Sequence, residues 1–218
     1  MSIKNLVSPV VVLLAFACGN GEKVSKEVFE EVNRNMEVKR LTEAEIIEEA
    51  MEWGDSITTE AQEQLISNLQ NSISANGITG AIDFCQVNAL PFLTQVGDDF
   101  GVKIKRVSNR YRNPVDQPNE SELPILEAYE YNADNGQKSE PNVQKIEGGE
   151  VFLYTKPITI PSGFCLACHG EVGKDIDPNT QAKLLEKYPE DKATGHQIGD
   201  LRGMWSVLIP KGEVVKRL

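Results

Sequence analysis

Residues 165–169 read Cys165-Leu166-Ala167-Cys168-His169, and no other stretch restricts the possible folds of this chain as strongly. Two thiols three positions apart lie on one helical turn, where they reach the two vinyl groups on one edge of a porphyrin and form thioethers. The histidine that follows sets its imidazole beneath the iron as the proximal ligand. This is the attachment pattern of c-type haem, so one covalently attached haem c is the expected cofactor. Three other readings share part of the pattern. A Cys165–Cys168 disulfide makes no use of His169. A zinc site could be completed by His196 with Cys85. A redox-active dithiol belongs at the head of a helix after a buried strand, in a βαβ context that is missing here.

Haem attachment of this kind takes place outside the cytoplasm, and the start of the chain agrees. Lys4 supplies a positive charge ahead of a short apolar run from Leu6 to Phe16, interrupted only by Ser8 and Pro9. The run is too short to span a bilayer as a stable helix, which fits a cleaved secretory signal over residues 1–17. Ala15-Phe16-Ala17 is a small-x-small cleavage pattern followed directly by Cys18, which resembles the lipidated cysteine of a bacterial lipoprotein. Simple secretion with Cys18 left at the mature N-terminus is the other reading. Either way the domain is expected on the periplasmic side, touching the membrane only through a lipid on Cys18. Lys and Arg total 22 against 33 Asp and Glu, a net charge of −11. A surface this acidic repels phosphate backbones and anionic headgroups, which excludes nucleic-acid binding through a general positive field.

Residues 18–40 read as a tether and a spacer helix, with Val24, Val28 and Val32 four apart. Residues 41–218 then form one domain. Thr42 and Glu45 make a capping box that opens a long helix with Ile46, Ala50, Trp53 and Ile57 on one stripe. Ala61, Leu65, Leu69 and Ile73 continue that stripe until Asn76-Gly77 stops it. A further helix follows, with Ile78, Ile82, Cys85 and Ala89 on one face, and Pro91 is expected to end or restart it. Val102 to Val107 alternates as a half-buried strand, and a short helix is expected around Ser121 to Tyr131. Val143 to Ile146 and Val151 to Thr155 flank a glycine-containing turn as a hairpin, and Leu201 to Ile209 is a last strand. Helices first, then antiparallel strands with short helices between them, is α+β.

Several motifs in order carry a resemblance over some 170 residues. They are Cys85-Gln-Val-Asn-Ala89, Lys105-Arg106-Val-Ser-Asn-Arg110 running into Arg112-Asn113-Pro114, and Cys165-Leu-Ala-Cys-His-Gly170. Tyr188-Pro189, Asp191-Lys-Ala-Thr-Gly195 and Gly199-Asp-Leu-Arg-Gly203 follow. From about Thr42 to Pro210 the chain resembles a family of exported bacterial haem proteins with a PAS-like c-haem fold, defined as a domain of unknown function. The resemblance implies a small antiparallel sheet flanked by helices, with haem held against it. It also implies an axial thiolate at Cys85.

With His169 on one side of the iron, the role turns on the other side. From the residues alone, Cys85 is the odd thiol once Cys18 goes to lipid and two cysteines go to haem, and it is either a ligand or a buried small hydrophobe. Met204 is the ligand of an electron carrier or a core methionine, His196 is expected to face solvent, and an open site is the remaining case. Arg106, Arg110 and Arg112 stand out in an acidic chain as partners for the haem propionates, or else form a solvated basic strand edge. Arg110 and Arg112 are the stronger candidates and Arg202 a weaker one. A His169/Cys85 pair favours a low potential, and hence a redox or diatomic-gas sensor acting through a signalling partner. A low-potential electron-transfer cytochrome docking on a redox partner is the alternative. An enzyme such as a peroxidase needs an acid–base residue at an open distal site, and only His196 is available beyond His169, so this reading ranks last and no enzyme is expected.

Overall fold

The computed structural model describes residues 25–35 and 41–218, which belong to two compact units meeting after Arg40. The signal, Cys18 and most of the tether lie outside the described residues. In the first unit, α1 spans Lys26–Asn35, and Val28 and Phe29 are exposed. No described helix is long and apolar enough to cross a membrane.

The second unit begins with α2, Glu43–Phe100. Its first turn is closed by the capping box: the Glu45 N–H donates to Thr42 Oγ1 at 3.2 Å and the Thr42 N–H donates to the Glu45 carboxylate at 2.7 Å. Ile46, Ala50, Trp53, Ile57 and Ala61 are buried, as their spacing requires. Burying a side chain such as Ile57 contributes about 2–3 kcal/mol, so this stripe holds the first arm to the sheet. The helix breaks at Gly77, whose φ of 68° and ψ of 179° are closed to any residue with a Cβ. The second arm folds back so that Phe84, Cys85 and Phe92 share a cavity with Leu65 and Leu69.

Pro91 does not interrupt that second arm, contrary to the sequence expectation. The carbonyl of Val87, deprived of its partner by the proline ring, sits on an exposed turn where water can reach it; Val87 is 66% exposed. The arm runs on to Phe100 and is capped by Gly101.

Four strands follow: β1 (Lys103–Val107), β2 (Asn142–Ile146), β3 (Val151–Thr159) and β4 (Leu201–Pro210). They form one antiparallel sheet in the order β1-β4-β3-β2. Helices α3 (Leu123–Asp134), α4 (Gly163–His169), α5 (Pro178–Lys187) and α6 (Lys211–Val215) complete the unit. This is the α+β, PAS-like arrangement of an antiparallel sheet flanked by helices that the sequence predicts.

The sheet is buried on both faces, with the two-residue period sorting its side chains. Ile104, Phe152, Tyr154, Trp205, Val207 and Ile209 pack against α2. Val107, Leu153 and Met204 pack on the other face against Ile125, Leu126 and Tyr129 of α3. Met204 is therefore a core residue. Arg106 is registered opposite Trp205, which sets it on the α2 face. Its neighbour Lys105 points to the other face and pairs at 2.8 Å with buried Glu122, which also accepts from Ser206 Oγ at 2.6 Å. That ion pair holds the strand from which Arg106 projects.

No atom lies within 4 Å of a Cβ built at Gly77, so replacing it tests backbone strain alone. Gly77→Ala is expected to cost about 1–3 kcal/mol, read as a lower urea midpoint with an unchanged slope.

Candidate functional site

Helix α4 is a single seven-residue element that carries Cys165, Cys168 and His169 on consecutive turns. It ends at Gly170, where only glycine fits. A Cβ there would lie 2.5 Å from the Asp175 side chain and 2.7 Å from the Leu166 carbonyl. Cys85, Cys165 and Cys168 all carry free thiols and are half-buried. Among the described residues no three His, Cys, Asp or Glu side chains converge as a metal-ion cage.

His169 is oriented by its neighbours. Its Nδ1 lies 2.8 Å from the Ala193 carbonyl, and because a carbonyl only accepts, the ring proton is on Nδ1. Nε2 is left with a lone pair, the state an iron ligand requires. Burial, followed by the Arg112 and Arg202 charges, holds the His169 pKa well below its ordinary value, so the ring stays neutral.

The Ala193 carbonyl belongs to a strap, residues 188–200, that runs beneath α4. The Gly195 N–H donates to the Gly170 carbonyl at 2.6 Å and the His196 N–H to the His169 carbonyl at 2.9 Å. Arg112 clamps strap to helix. Its Nη2 donates to the Cys168 carbonyl at 2.5 Å and to the Ala193 carbonyl at 3.4 Å, while Nε pairs with Asp191 at 3.1 Å. Asp191 in turn accepts from the Ala193 N–H at 2.8 Å.

Cys85 approaches from the second arm of α2. Burial pushes its thiol pKa up, with Arg106 and Arg112 pulling the other way. Burial raises Cys168 as well; Arg112 opposes that and the nearby Cys85 adds to it, so the two thiols feel each other. Tyr188, at the end of α5, has its phenol pushed up to about 12 by burial and by Cys85. The Gln86 side chain joins these elements by donating to the Lys187 carbonyl at 3.2 Å. Cys85 also borders a cavity of about 280 Å³ whose walls include Leu65, Leu69, Phe84 and Phe92.

The arginines divide into committed and uncommitted groups. Arg112 spends Nε and Nη2 on the clamp. Arg110 is exposed, donates to the Thr194 carbonyl and lies with Nη1 3.3 Å from His196 Nδ1. Arg106 has a buried Nε with no hydrogen-bond partner. Arg202 donates to the Arg110 carbonyl at 2.9 Å, and its guanidinium is pushed down to about 9 by burial and then by Arg106 and Arg112. Asp116 and Asp191 only partly offset this crowding. Three cations facing two carboxylates leave room for added negative charge.

One residue of the site differs from the sequence reading. His196, expected in solvent, is 1% exposed, because the strap turns at Gly195 and ties itself to the backbone of α4. Met204 takes the core reading and lies on the α3 face, across the sheet from Arg106. The strap itself had a visible signal in the Asp191–Gly195 and Gly199–Gly203 motifs, but nothing in them states that Ala193 would present its carbonyl to His169.

Asp191 is 4% exposed and its partner Arg112 14%, so breaking the pair strands a buried carboxylate. Arg112→Met is expected to lower stability by about 3 kcal/mol in urea unfolding, and Arg112→Lys to recover little of it, since one ammonium cannot serve three acceptors. Acid acts through His196, whose pKa is lowered to about 4 by burial and by Arg110 and Arg202. Above pH 6.5 the ring is neutral both folded and unfolded. Below it the unfolded chain takes up a proton that the folded chain refuses until about pH 4, so stability falls across that window. Urea midpoints of the haem-free chain should fall between pH 7 and 4.5, and less steeply in His196→Gln.

Comparison with known proteins fits this architecture. No curated protein matches the chain. Among solved structures it is similar to one described as the crystal structure of the cyanobacterial heme-protein Tll0287. The identity is 29%, over 73% of this chain and 94% of that one, with a TM-score of 0.49. The family model Tll0287-like matches residues 24–210, which takes in the sheet, both arms of α2, α4 and the strap, and the chain belongs to the Tll0287-like family.

Proposed function

We propose that this chain is an exported c-type haem protein that works as a redox or diatomic-gas sensor. The observation that carries the haem reading is the state of His169 beside the two thiols. The imidazole is neutral, locked through Nδ1 on the Ala193 carbonyl, and offers Nε2 from the same short helix as Cys165 and Cys168. Each thiol adds across one vinyl group, sulfur to one carbon and hydrogen to the other, so attachment needs no oxidant. The unpartnered Arg106 Nε and the crowded Arg202 guanidinium suit the propionates better than Arg112, whose donors are engaged. That the cyanobacterial Tll0287 is a heme-protein supports the same reading. Cys85 would supply the iron's other protein ligand as a thiolate, the metal and the Arg106 and Arg112 charges working against the burial that raises its pKa.

Haem c with one thiolate ligand supplies a one-electron iron centre whose ferric state is favoured. Sensing, rather than shuttling, is supported by the cavity of about 280 Å³ beside Cys85, which gives the displaced thiol or a small ligand somewhere to go. The signal passes to a separate protein partner. A second reading, a low-potential electron-transfer cytochrome, is favoured by the net charge of −11, which suits docking on a basic redox partner. In both the protein is not an enzyme, and it is held at the periplasmic side of a membrane through a lipid on Cys18.

The test is an absorbance spectrum of ferric and dithionite-reduced protein made together with a haem-attachment system, then denatured. Haem that stays with the denatured chain, and is released in Cys165→Ser/Cys168→Ser, is the expected result; loss on denaturation defeats the covalent assignment. Thiolate-type ferric bands that vanish in Cys85→Ala establish the second ligand, whereas bands unchanged in that variant rule it out.

A further inference from the structure

His196 is 1% exposed, and one of its ring nitrogens has no partner. Its other nitrogen, Nδ1, lies 3.3 Å from Arg110 Nη1. A guanidinium has donors and no acceptor, so Nδ1 must receive that bond and the ring proton must sit on Nε2. Nε2–H is the atom left without a partner. A buried donor left unmade costs about 1–3 kcal/mol, enough to expel the ring unless something accepts from it.

Two observations say what the acceptor is. His196 lies on the same side as His169, because its backbone N–H donates to the His169 carbonyl at 2.9 Å and the ring centroids are 6.3 Å apart at 78°. A ligand on the far side of the iron cannot share that backbone contact, and a ring protonated on Nε2 offers no lone pair there. The charged groups acting on His196 are Arg110, Arg202, Arg112 and Asp200, three cations to one carboxylate. An acceptor in that setting is an anion.

We propose that His196 Nε2–H, with Arg110 and Arg202, holds one haem propionate on the His169 side of the ring. This deepens the haem reading above and rests on it. The role is a binding one that orients the haem edge remote from the thioethers. It gives His196 a use that burial alone does not.

The experiment uses the haem-loaded protein and its His196→Phe and His196→Gln variants. Covalent haem and unchanged axial-ligand bands are expected in all three. Resonance Raman is expected to show the propionate bending band shifted in His196→Phe and returned towards wild type in His196→Gln, which keeps a donor. The reduction potential should fall in the Phe variant, because a propionate without its donor stabilises ferric iron, and recover in the Gln variant. An unmoved propionate band in His196→Phe overturns the proposal, and so does a change of axial-ligand bands, which makes His196 an iron ligand. Nitrogen-15 histidine NMR of the wild-type holoprotein needs no variant: a slowly exchanging Nε2–H on His196 is expected, and an Nδ1–H tautomer overturns the assignment. A wild-type chain without covalent haem defeats the parent reading instead, and the haemochrome assay distinguishes that failure from the others.

Discussion

The hydrogen bond from His169 Nδ1–H to the Ala193 carbonyl sets the terms for everything around it. A seven-residue helix has no rigidity of its own to aim a side chain, since helices this short are marginal in water. The aim is imposed from outside by the strap, and the strap is held by Arg112, which reaches the Cys168 carbonyl, the Ala193 carbonyl and the Asp191 carboxylate together. One planar guanidinium thereby couples the last turn of α4 to the loop that orients its histidine. Such a link suits arginine because its donors diverge at fixed angles and its charge does not titrate.

The rest of the second unit delivers the opposite wall. The first arm of α2 is fixed to the sheet by Ile46, Ala50, Trp53, Ile57 and Ala61, and Trp205 Nε1 donates to Gln62 at 3.1 Å. The reversal at Gly77 then carries Cys85 back towards β1 and α4. Cys85 stands on that second arm, which packs Leu93 and Val96 into the same core and Ile82 against Ile176 and Leu184, while His169 stands on a short helix tied to the strap. Both segments are thus held from outside, and the cavity beside Cys85 lies between the two arms of α2.

Much of this was legible locally. The capping box at Thr42, the stripe from Ile46 to Ala61, the alternation before Val107 and the hairpin around Glu147–Gly149 each depend on residues a few positions apart, and each element is present. The haem-attachment pattern is local as well. What the sequence could not express are the contacts that span it. Arg112 meets Cys168 across 56 residues and Asp191 across 79, and Arg110 meets His196 across 86. Arg112 therefore read as a propionate partner or a solvated strand edge, with no sign that its donors would clamp the strap to α4, and His196 read as a loop residue in water when the strap buries it. Pro91 failed for a different reason: the rule against proline in helices assumes that the lost hydrogen bond is buried, and here it faces solvent.

An acidic chain that gathers arginines in one place has separated two electrostatic tasks. The net charge of −11 acts at long range, on partners and surfaces, and is screened within about 8 Å at physiological ionic strength. Arg106, Arg112 and Arg202 act inside the site, where burial first, and then the Arg106 and Arg112 charges, lower Arg202 to about 9. Such a cluster destabilises the folded chain until an anion enters, and the energy released on entry counts towards binding. Burial raises the Cys85 thiol and lowers His169, and the same arginines oppose the first shift and add to the second. The cluster thus favours an entering carboxylate, lessens the cost of a thiolate and reinforces the neutral imidazole that burial sets.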